Sequence, residues 1–448
     1  MSTTREPCVA GLFYPADPGG LSAVLAAHLD HAEDWPSEAK AIIAPHAGYI
    51  YSGPIAGRAY KALAHRAPAI TRIVLLGPAH RLGFRGIAAP SAERFATPLG
   101  SIPIDRAAIA SLLELPEVTL LDRAFDQEHC LEVQLPFLQR SLGSFDLVPL
   151  IVGDTRAAAV EAVLERVWGG PETLIVISSD LSHYESYDSA RKIDAATSKL
   201  IETHKAEGLA GHFACGFLPI AGLLRRAASL DLRATTLDLR NSGDTAGDRE
   251  RVVGYGAYSF EPAEAARLPD SYRAELKEAA RTVLRGVGQS AKIDLPLDSY
   301  PAPLLAARRT FVTLKDRGEL RGCIGSVEAH QPLIVDVVRN ALASATADQR
   351  FKPVTEEEAA RLDIHVSILS HDRPMVFGSE EELLAQLRPG VDGLMIRDGA
   401  HRSLFLPQVW AMVPDRRAFL EHLKTKAGLP ADYWSPTLQA WRFTSESF

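Results

Sequence analysis

Short runs of apolar residues recur through the first half of the chain and alternate with segments of helical spacing. Four continuous runs are typical of buried parallel strands: AIIAP (41–45), RIVLLG (72–77), DLVPLIV (146–152) and TLIVISS (173–179). Three segments have the spacing or composition of helices: 54–64, 131–142 and 155–168. This alternation predicts βαβ units and an α/β fold with a mostly parallel, doubly wound sheet. A helix after Cys215 and an antiparallel strand pair are expected to complete the unit.

The pattern changes after a Pro- and Ala-rich segment, EPAEAARLPD (261–270), whose composition is typical of an exposed linker. Helical segments then mix with strand-like pairs around Gly-containing turns. The helical segments are 271–287, 332–348 and 416–428. LDIHVSILS (362–370) alternates with period two, as a half-buried strand does. The predicted parts are an α/β domain (1–262), a linker (263–270) and a separate α+β domain (271–448).

Composition and charge narrow the class of protein. The chain has 448 residues, which suits two or three domains, and its 46% hydrophobic content is that of a soluble globular protein. A formal charge of −8 favours neither nucleic acid nor an acidic membrane surface as a partner. Four scattered cysteines without a CxxC motif indicate a reducing, cytoplasmic environment. With no apolar leader and no run of about 18 apolar residues, we expect neither a signal peptide nor a membrane span.

Three histidines lie at or just after the ends of the apolar runs. His46 follows AIIAP, His80 follows RIVLLGPA, and His183 follows TLIVISSDLS. Parallel strands bring their carboxyl ends to one edge of a sheet, and α/β proteins bind ligands there. These imidazoles are therefore candidates for a metal or catalytic site. The alternative for any one of them, such as His46, is that it caps a strand and bonds a backbone carbonyl.

Three further side chains are candidates for the same site. Asp180 lies three residues before His183 and could orient that imidazole on a helical turn. Alternatively, or in addition, Ser179 or Asp180 could be the N-cap of a helix. His129 opens a predicted helix, where the neighbouring acids also suit a solvated helix N-terminus. Cys215 lies in a tight Gly- and Pro-containing turn. A buried cysteine is ordinarily a small apolar residue, but a thiolate beside imidazoles suits zinc, copper or iron.

The blocks around these residues, in this order, resemble the Memo family over roughly residues 5–262. The shared words are IIAPHAGYIYSG, LLGPAH, TPLG (97–100), EH before an E-x-x-LPF helix, VISSDLSHY, ACGFLPI and VGYGAYS. The resemblance implies a fold like that of class III extradiol dioxygenases, which open catechol rings with non-haem Fe(II). The implied site residues are the metal ligands His46, His80 and Cys215 and the cleft-lining Asp180, His183 and His129. Those dioxygenases bind iron through two His and one Glu, so Cys215 replaces an expected carboxylate.

Residues from about 271 to 448 resemble the AMMECR-type domain through LRGCIG (320–325), ADQRFKPV (347–354) and LDIHVSILS. Cys323 lies in the first of these words, which either lines a pocket or forms a glycine bulge around a core cysteine. The two domain types, often with a radical SAM protein, belong to what is called the AmmeMemoRadiSam system. The resemblance therefore implies a radical SAM partner and one pathway shared by both domains.

The combined hypothesis is a cytoplasmic metal-dependent oxidoreductase similar to the dioxygenases. It would hold Fe(II), or else copper or zinc, through His46, His80 and Cys215. His183, oriented by Asp180, would act as general acid or base, and His129 would contact the substrate. The expected substrate is a small molecule, such as an aromatic compound, or a modified peptide. Two alternatives stay open: a zinc-dependent hydrolase at the same site, and a scaffold that binds a metal or a peptide without catalysis.

Overall fold

The structure, a computed structural model, describes residues 4–263, 265–287 and 295–448. The chain divides into two compact units, each with helices and sheets of its own. Unit 1 comprises Met1–Pro269 with Pro301–Pro303, and unit 2 comprises Asp270–Tyr300 with Leu304–Phe448. The division falls at the end of the Pro- and Ala-rich segment, where the sequence pattern changes.

Unit 1 is built from helices and mostly short strands. Its helices are α1 (Pro18–Asp30), α2 (Tyr49–Lys61), α3 (Arg106–Leu112), α4 (Gln134–Leu142), α5 (Ala157–Val167), α6 (Tyr187–Glu202) and α7 (Phe217–Ser229). Its strands are β1 (Thr4–Arg5), β2 (Ala41–Ala44), β3 (Arg72–Pro78), β4 (Ile87–Ala89), β5 (Arg94–Thr97), β6 (Gly100–Pro103), β7 (Val118–Leu120), β8 (Asp146–Val152), β9 (Thr173–Ser178), β10 (His183–Glu185), β11 (Leu232–Asn241) and β12 (Val252–Pro262).

A mixed sheet of nine strands forms the centre of unit 1. Its strand order is β10-β12-β2-β9-β3-β8-β4-β7, and β11 pairs with β12. Strands β2, β9, β3 and β8 run parallel, and only the first residues of β3 and β8 are not fully buried. Strands β4 and β12 run antiparallel to this buried centre. A smaller sheet has the order β1-β5-β6.

The predicted α/β class and the separate second domain are confirmed, but the central sheet is mixed rather than mostly parallel. The four apolar runs form its parallel centre, and the antiparallel pairs lie outside them. A continuous apolar run shows that both faces of a strand are buried, but it carries no information on strand direction. Strands β4 to β7 were not predicted, because three or four residues are too few to show a period.

Helix α2 begins at Tyr49, five residues before the predicted start, and so lies directly behind His46. The sequence pattern predicts a Gly-rich turn before an Ala-rich helix near 54–64, but the residues of that turn belong to α2, and Pro54 lies inside the helix. Gly53 lies against helix α1, where an added Cβ would overlap the ring of His28. Glycine is therefore needed at this position for the close approach of the two helices.

The chain beyond residue 269 alternates helices and antiparallel strands. Its helices are α8 (Asp270–Arg285), α9 (Ala302–Leu305), α10 (Leu333–Thr346), α11 (Glu356–Ala359), α12 (Glu380–Gln386) and α13 (Arg416–Lys426). Its strands are β13 (Arg309–Asp316), β14 (Glu319–Gly325), β15 (Asp363–Leu369), β16 (Arg373–Pro374), β17 (Gly393–Asp398), β18 (His401–Phe405), β19 (Gln439–Phe443) and β20 (Ser445–Ser447). They form two sheets, with orders β14-β13-β15-β20 and β16-β19-β17-β18. Within the described residues, no helix is long and apolar enough to span a membrane.

The LRGCIG motif lies in strand β14, and its two glycines allow neighbouring residues to pack closely against the strand. A Cβ at Gly322 would overlap the Ser344 carbonyl of α10, and one at Gly325 would overlap the ring of Phe311. The Cys323 thiol lies 3.2 Å from the Thr313 hydroxyl on the neighbouring strand. These contacts favour the structural interpretation of the two glycines.

Candidate metal centre

Three imidazoles meet at the carboxyl edge of the parallel strands. His46 lies two residues beyond β2, and His80 lies two residues beyond β3. Their ring centroids are 5.1 Å apart. His129, in the loop before α4, has its ring centroid 5.3 Å from that of His46 and 4.7 Å from that of His80. The strand-end rule thus brought two of the three predicted strand-end histidines together, and His129 joins them from a loop.

Cys215 adds a sulfur atom to this group. Its Sγ lies 3.4 Å from Nε2 of His46, and its backbone N–H donates to the Asp180 carbonyl at 3.3 Å. One ligand atom from each of His46, His80 and Cys215 lies within 4.8 Å of the other two. Two imidazole nitrogens and one sulfur in so small a volume form a donor set that transition metals prefer.

A buried hydrogen-bond network fixes which nitrogen of His46 faces Cys215. Ser178, the last residue of β9, donates its hydroxyl proton to the Cys130 carbonyl at 2.6 Å. Its oxygen must then accept from Nε2 of Gln134 at 2.8 Å and from Nδ1 of His46 at 2.9 Å. Because Nδ1 of His46 carries the proton, Nε2 holds the lone pair that points toward Cys215. The network therefore prepares His46 as a ligand through Nε2.

Glu128 performs the equivalent task for His80. Its Oε1 accepts from Nδ1 of His80 at 2.9 Å, and its Oε2 accepts from the His80 backbone N–H at 2.7 Å. Burial alone would raise the pKa of Glu128, but the hydrogen bonds from His80 and Cys130 outweigh it and lower the pKa to about 2. The carboxylate is thus ionised, and it leaves Nε2 of His80 available to a metal.

Asp180 supports His46 rather than His183. Its Oδ1 accepts from the His46 backbone N–H at 2.7 Å, and burial raises the pKa of its carboxyl group. Burial, and next the charge of Asp180, also raises the pKa of the Cys215 thiol to about 12. In the absence of a cation, Cys215 is therefore a neutral thiol, and a bound metal ion would be needed to stabilise its thiolate.

The predicted orientation of His183 by Asp180 is wrong in its geometry. Residues 180–182 are not helical, and His183 is the first residue of strand β10. Its Nδ1 bonds the Leu181 carbonyl at 2.8 Å, and helix α6 begins only at Tyr187, with Ser186 as N-cap. The three-residue spacing therefore has no helical meaning here, and neither Ser179 nor Asp180 caps a helix. His183 is partly exposed, as are His80 and His129, whereas His46 is buried.

His129 is a half-buried, neutral imidazole whose side chain is 14% exposed. Burial, and next the charges of His46 and His80, lowers its pKa to about 4. Its Nδ1 is buried and makes no hydrogen bond among the described residues, although it lies 3.4 Å from Oε1 of Glu128. The interpretation of its segment as a solvated helix N-terminus is wrong for Glu128, which is 2% exposed and precedes α4 by several residues. An unpaired polar atom buried beside the predicted ligands is suited to meet a bound group.

Sequence reasoning missed the residues that orient the ligands. Glu128 and Ser178 hold the Nδ1 atoms of His80 and His46, and Gln134 holds Ser178. Glu128 precedes His129 directly, so its position in the sequence also suits one of the acids at a solvated helix start. Ser178 appears in the sequence only as the end of an apolar run. No spacing in the sequence relates either residue to its partner, since each contact closes a loop of 48 residues or more.

Two family models cover the chain. Residues 5–259 match the model described as Memo-like protein, and residues 276–448 match the AMMECR1 model. The chain belongs to the Memo family. It fuses a Memo-like domain to an AMMECR1 domain, as the resemblance in the sequence implied.

The alignments of the Memo-like domain with its relatives cover nearly the whole length of those relatives. A MEMO1 family protein of Methanosarcina acetivorans is 35% identical over 271 residues, which are 57% of this chain and 99% of the relative. One of Aquifex aeolicus is 36% identical over 264 residues, covering 56% of this chain and 97% of the relative. A solved structure also aligns with part of the chain. The crystal structure of an uncharacterized protein from Pyrococcus horikoshii aligns with 40% of this chain and 92% of its own, at 32% identity and a TM-score of 0.38.

Proposed function

We propose that the Memo-like domain is a metal-dependent oxidoreductase with His46, His80 and Cys215 as the metal ligands. The supporting observation is that Nε2 of His46, a ring nitrogen of His80 and the Cys215 sulfur lie within 4.8 Å of one another, while Nδ1 of each histidine is held by its own buried acceptor. A histidine with a purely structural role needs a hydrogen bond at only one ring nitrogen, and several such histidines need not point toward the same place. Paired orientation toward a third donor is the arrangement of a metal site.

The donor set suits a redox metal. Fe(II) is the first candidate, by the resemblance to extradiol dioxygenases, and copper or zinc follows because a thiolate is softer than the carboxylate of those enzymes. A bound ion of this kind would supply a Lewis acid or a one-electron redox centre. Its expected substrate is a small molecule or a modified peptide, with a radical SAM protein as the partner in the same pathway.

The residues around the ligands have separate roles in this proposal. His129, neutral and with an Nδ1 that makes no hydrogen bond among the described residues, would accept or donate a proton at the substrate. His183, partly exposed and fixed through Nδ1 by the Leu181 carbonyl, would present Nε2 at the rim of the cleft. Asp180, bonded to the backbone of His46, would act as a positioning residue for that ligand.

A zinc-dependent hydrolase at the same site is the second candidate. The observation that favours it is the neutral His129 imidazole, which has the protonation state of a general base for a water molecule. Zinc accepts two imidazoles and a thiolate, and it leaves a fourth position for water. The two candidates thus share every ligand and differ in the metal and in the use of oxygen.

The test is metal analysis of the full chain purified anaerobically, followed by oxygen-uptake assays with catechols. We expect stoichiometric iron or copper in the wild type, loss of both metal and uptake in His80→Ala, and retention in His65→Ala. His65 is a matched control because it is a partly exposed histidine paired with Glu38, away from the candidate centre. Tightly held zinc without oxygen uptake would favour the hydrolase. A wild type that binds none of these metals would refute both and leave a binding module.

A further inference from the structure

The AMMECR1 domain contains a cavity that the proposed metal centre does not use. Its volume is about 290 Å³, and residues from both sheets of unit 2 line it. Arg309 begins β13, Arg397 and Arg402 lie on the hairpin of β17 and β18, and Trp441 lies on β19. This volume is close to the lower end of the range for small-molecule sites.

The lining carries an excess of positive charge. It contains four guanidinium groups against the two carboxylates of Glu328 and Asp372, a formal excess of two positive charges with His371 neutral. Asp372 is committed to Arg309, whose two terminal nitrogens donate to its two oxygens at 2.5 and 3.1 Å. Arg309 is 3% exposed, so this pair is a fixed part of the wall. Asp372, whose side chain is 27% exposed, is therefore already paired with one of the four guanidinium groups.

The guanidinium group of Arg402 directs two N–H donors toward the thioether sulfur of Met395, which is a weak acceptor. Its Nε and Nη2 lie 3.3 and 3.2 Å from the thioether sulfur of Met395. Its only carboxylate contact among the described residues is Glu328 at 3.3 Å, whose side chain is 73% exposed. A thioether is a poor partner for a charged guanidinium, and an exposed ion pair contributes little. Arg402 is thus available to an anion that enters the cavity.

Arg397 is held in place without neutralisation. Its Nε and Nη2 donate to Oε1 of Gln439 at 3.2 and 2.7 Å, and its guanidinium lies 5.3 Å from the ring centroid of Trp441. Within the described residues, no carboxylate pairs with it. Cation–π contact and an amide acceptor fix the orientation of a guanidinium but leave its full charge. Deeper in the wall, Arg308 donates to Nε2 of His371 at 2.6 Å, which requires a neutral imidazole.

We propose that this cavity binds a small organic oxyanion, a carboxylate or phosphate attached to a compact apolar group. The fork of Arg402 and the charge of Arg397 would receive the oxyanion, because guanidinium groups bind carboxylate and phosphate through paired N–H donors. Met395, Leu369 and Trp441 supply apolar surface for the rest of the ligand. The assignment gives the AMMECR1 domain a ligand of its own, independent of the metal.

The experiment is calorimetric titration of the full chain with benzoate, phenyl phosphate and neutral benzyl alcohol. We expect saturable binding of benzoate or phenyl phosphate, which identifies the preferred oxyanion, and no binding of benzyl alcohol. Arg402→Gln and Arg397→Gln should each weaken binding about tenfold or more. Arg402→Lys should fall between wild type and Arg402→Gln, because it keeps the charge but loses the fork.

Arg361→Gln is the matched control. Arg361 is 39% exposed in an ion pair with Asp316 outside the cavity, much as Arg402 is 32% exposed beside Glu328. Its substitution should leave binding unchanged. The proposal is overturned if neither anion binds up to about 10 mM, if benzyl alcohol binds as tightly as the anions, or if the cavity variants match Arg361→Gln. Circular dichroism on each variant verifies that a loss of binding is not a loss of fold.

Discussion

Replacing Glu128 by glutamine should weaken metal binding while the fold survives. In the wild type, Oε1 accepts from Nδ1 of His80 and from the backbone N–H groups of His129 and Cys130, while Oε2 accepts from the His80 N–H. Glutamine keeps one oxygen and places an NH₂ group at the other position. Either the His80 backbone N–H or the His80 ring then faces a donor instead of an acceptor.

The size of the effect follows from these contacts. Loss of a hydrogen bond to a charged group, with a buried donor left unpaired, lowers the free energy of unfolding by about 2 to 4 kcal/mol. Loss of the carboxylate that orients a ligating histidine weakens metal affinity by roughly 10- to 100-fold. The variant should therefore fold at 25 °C and bind the ion measurably but more weakly.

Competition titration with a chromophoric chelator measures the affinity, under anaerobic conditions for Fe(II) and in air for zinc. Glu132→Gln is the control, because Glu132 is also a buried carboxylate that accepts from the Cys8 and Val9 N–H groups and from Arg5. It should lower stability similarly without a comparable loss of metal. Unchanged metal affinity in folded Glu128→Gln, or an equal loss in Glu132→Gln, would refute the proposed role of Glu128.

Three further predictions concern pH, ligand softness and helix packing. Burial raises the pKa of Asp194 to about 6 from 3.8, so the stability of the fold should fall as the pH rises from about 4 to about 6. Asp194→Asn should therefore raise the free energy of unfolding by about 3 kcal/mol at pH 8, but far less at pH 3.5. Urea titrations at the two pH values measure this difference. Cys215→Ser should lower copper or zinc affinity tenfold or more by the same chelator assay, with far-ultraviolet circular dichroism unchanged. Gly53→Ala should lower the free energy of unfolding by about 1 to 3 kcal/mol, measured as a lower thermal midpoint, because the added Cβ overlaps the His28 ring. Gly83→Ala, with open space at its Cβ, should leave the midpoint unchanged.

Periodic patterns along the sequence predict strands and helices, but they do not predict which distant side chains contact one another in the fold. The apolar runs identify the buried strands, and the strand-end rule brings His46 and His80 to one edge. Their role as ligands, with Cys215, stays a prediction. Glu128 and Ser178 escape such reasoning because their partners are fixed by tertiary packing alone. The error at His183 has the same origin, since a three-residue spacing indicates a shared face only if the segment is helical.

Tyr60 influences which ring nitrogen of His46 carries the proton, because it is linked to that ring through Gln134 and Ser178. Tyr60, near the end of α2, donates its hydroxyl to Oε1 of Gln134 at 2.6 Å, and this bond keeps the amide NH₂ turned toward Ser178. Without that phenol, the bond from Nε2 of Gln134 to the Pro45 carbonyl at 2.9 Å still favours this orientation, but Oε1 loses its donor. An amide that rotates would place its oxygen where it competes for the Ser178 proton. His46 could in that state carry its own proton on Nε2, where the ion should bind. In the proposed centre, the tautomer of His46 therefore depends on helix residues that are not among the three ligands. Tyr60→Phe should weaken metal binding although His46, His80 and Cys215 are all retained.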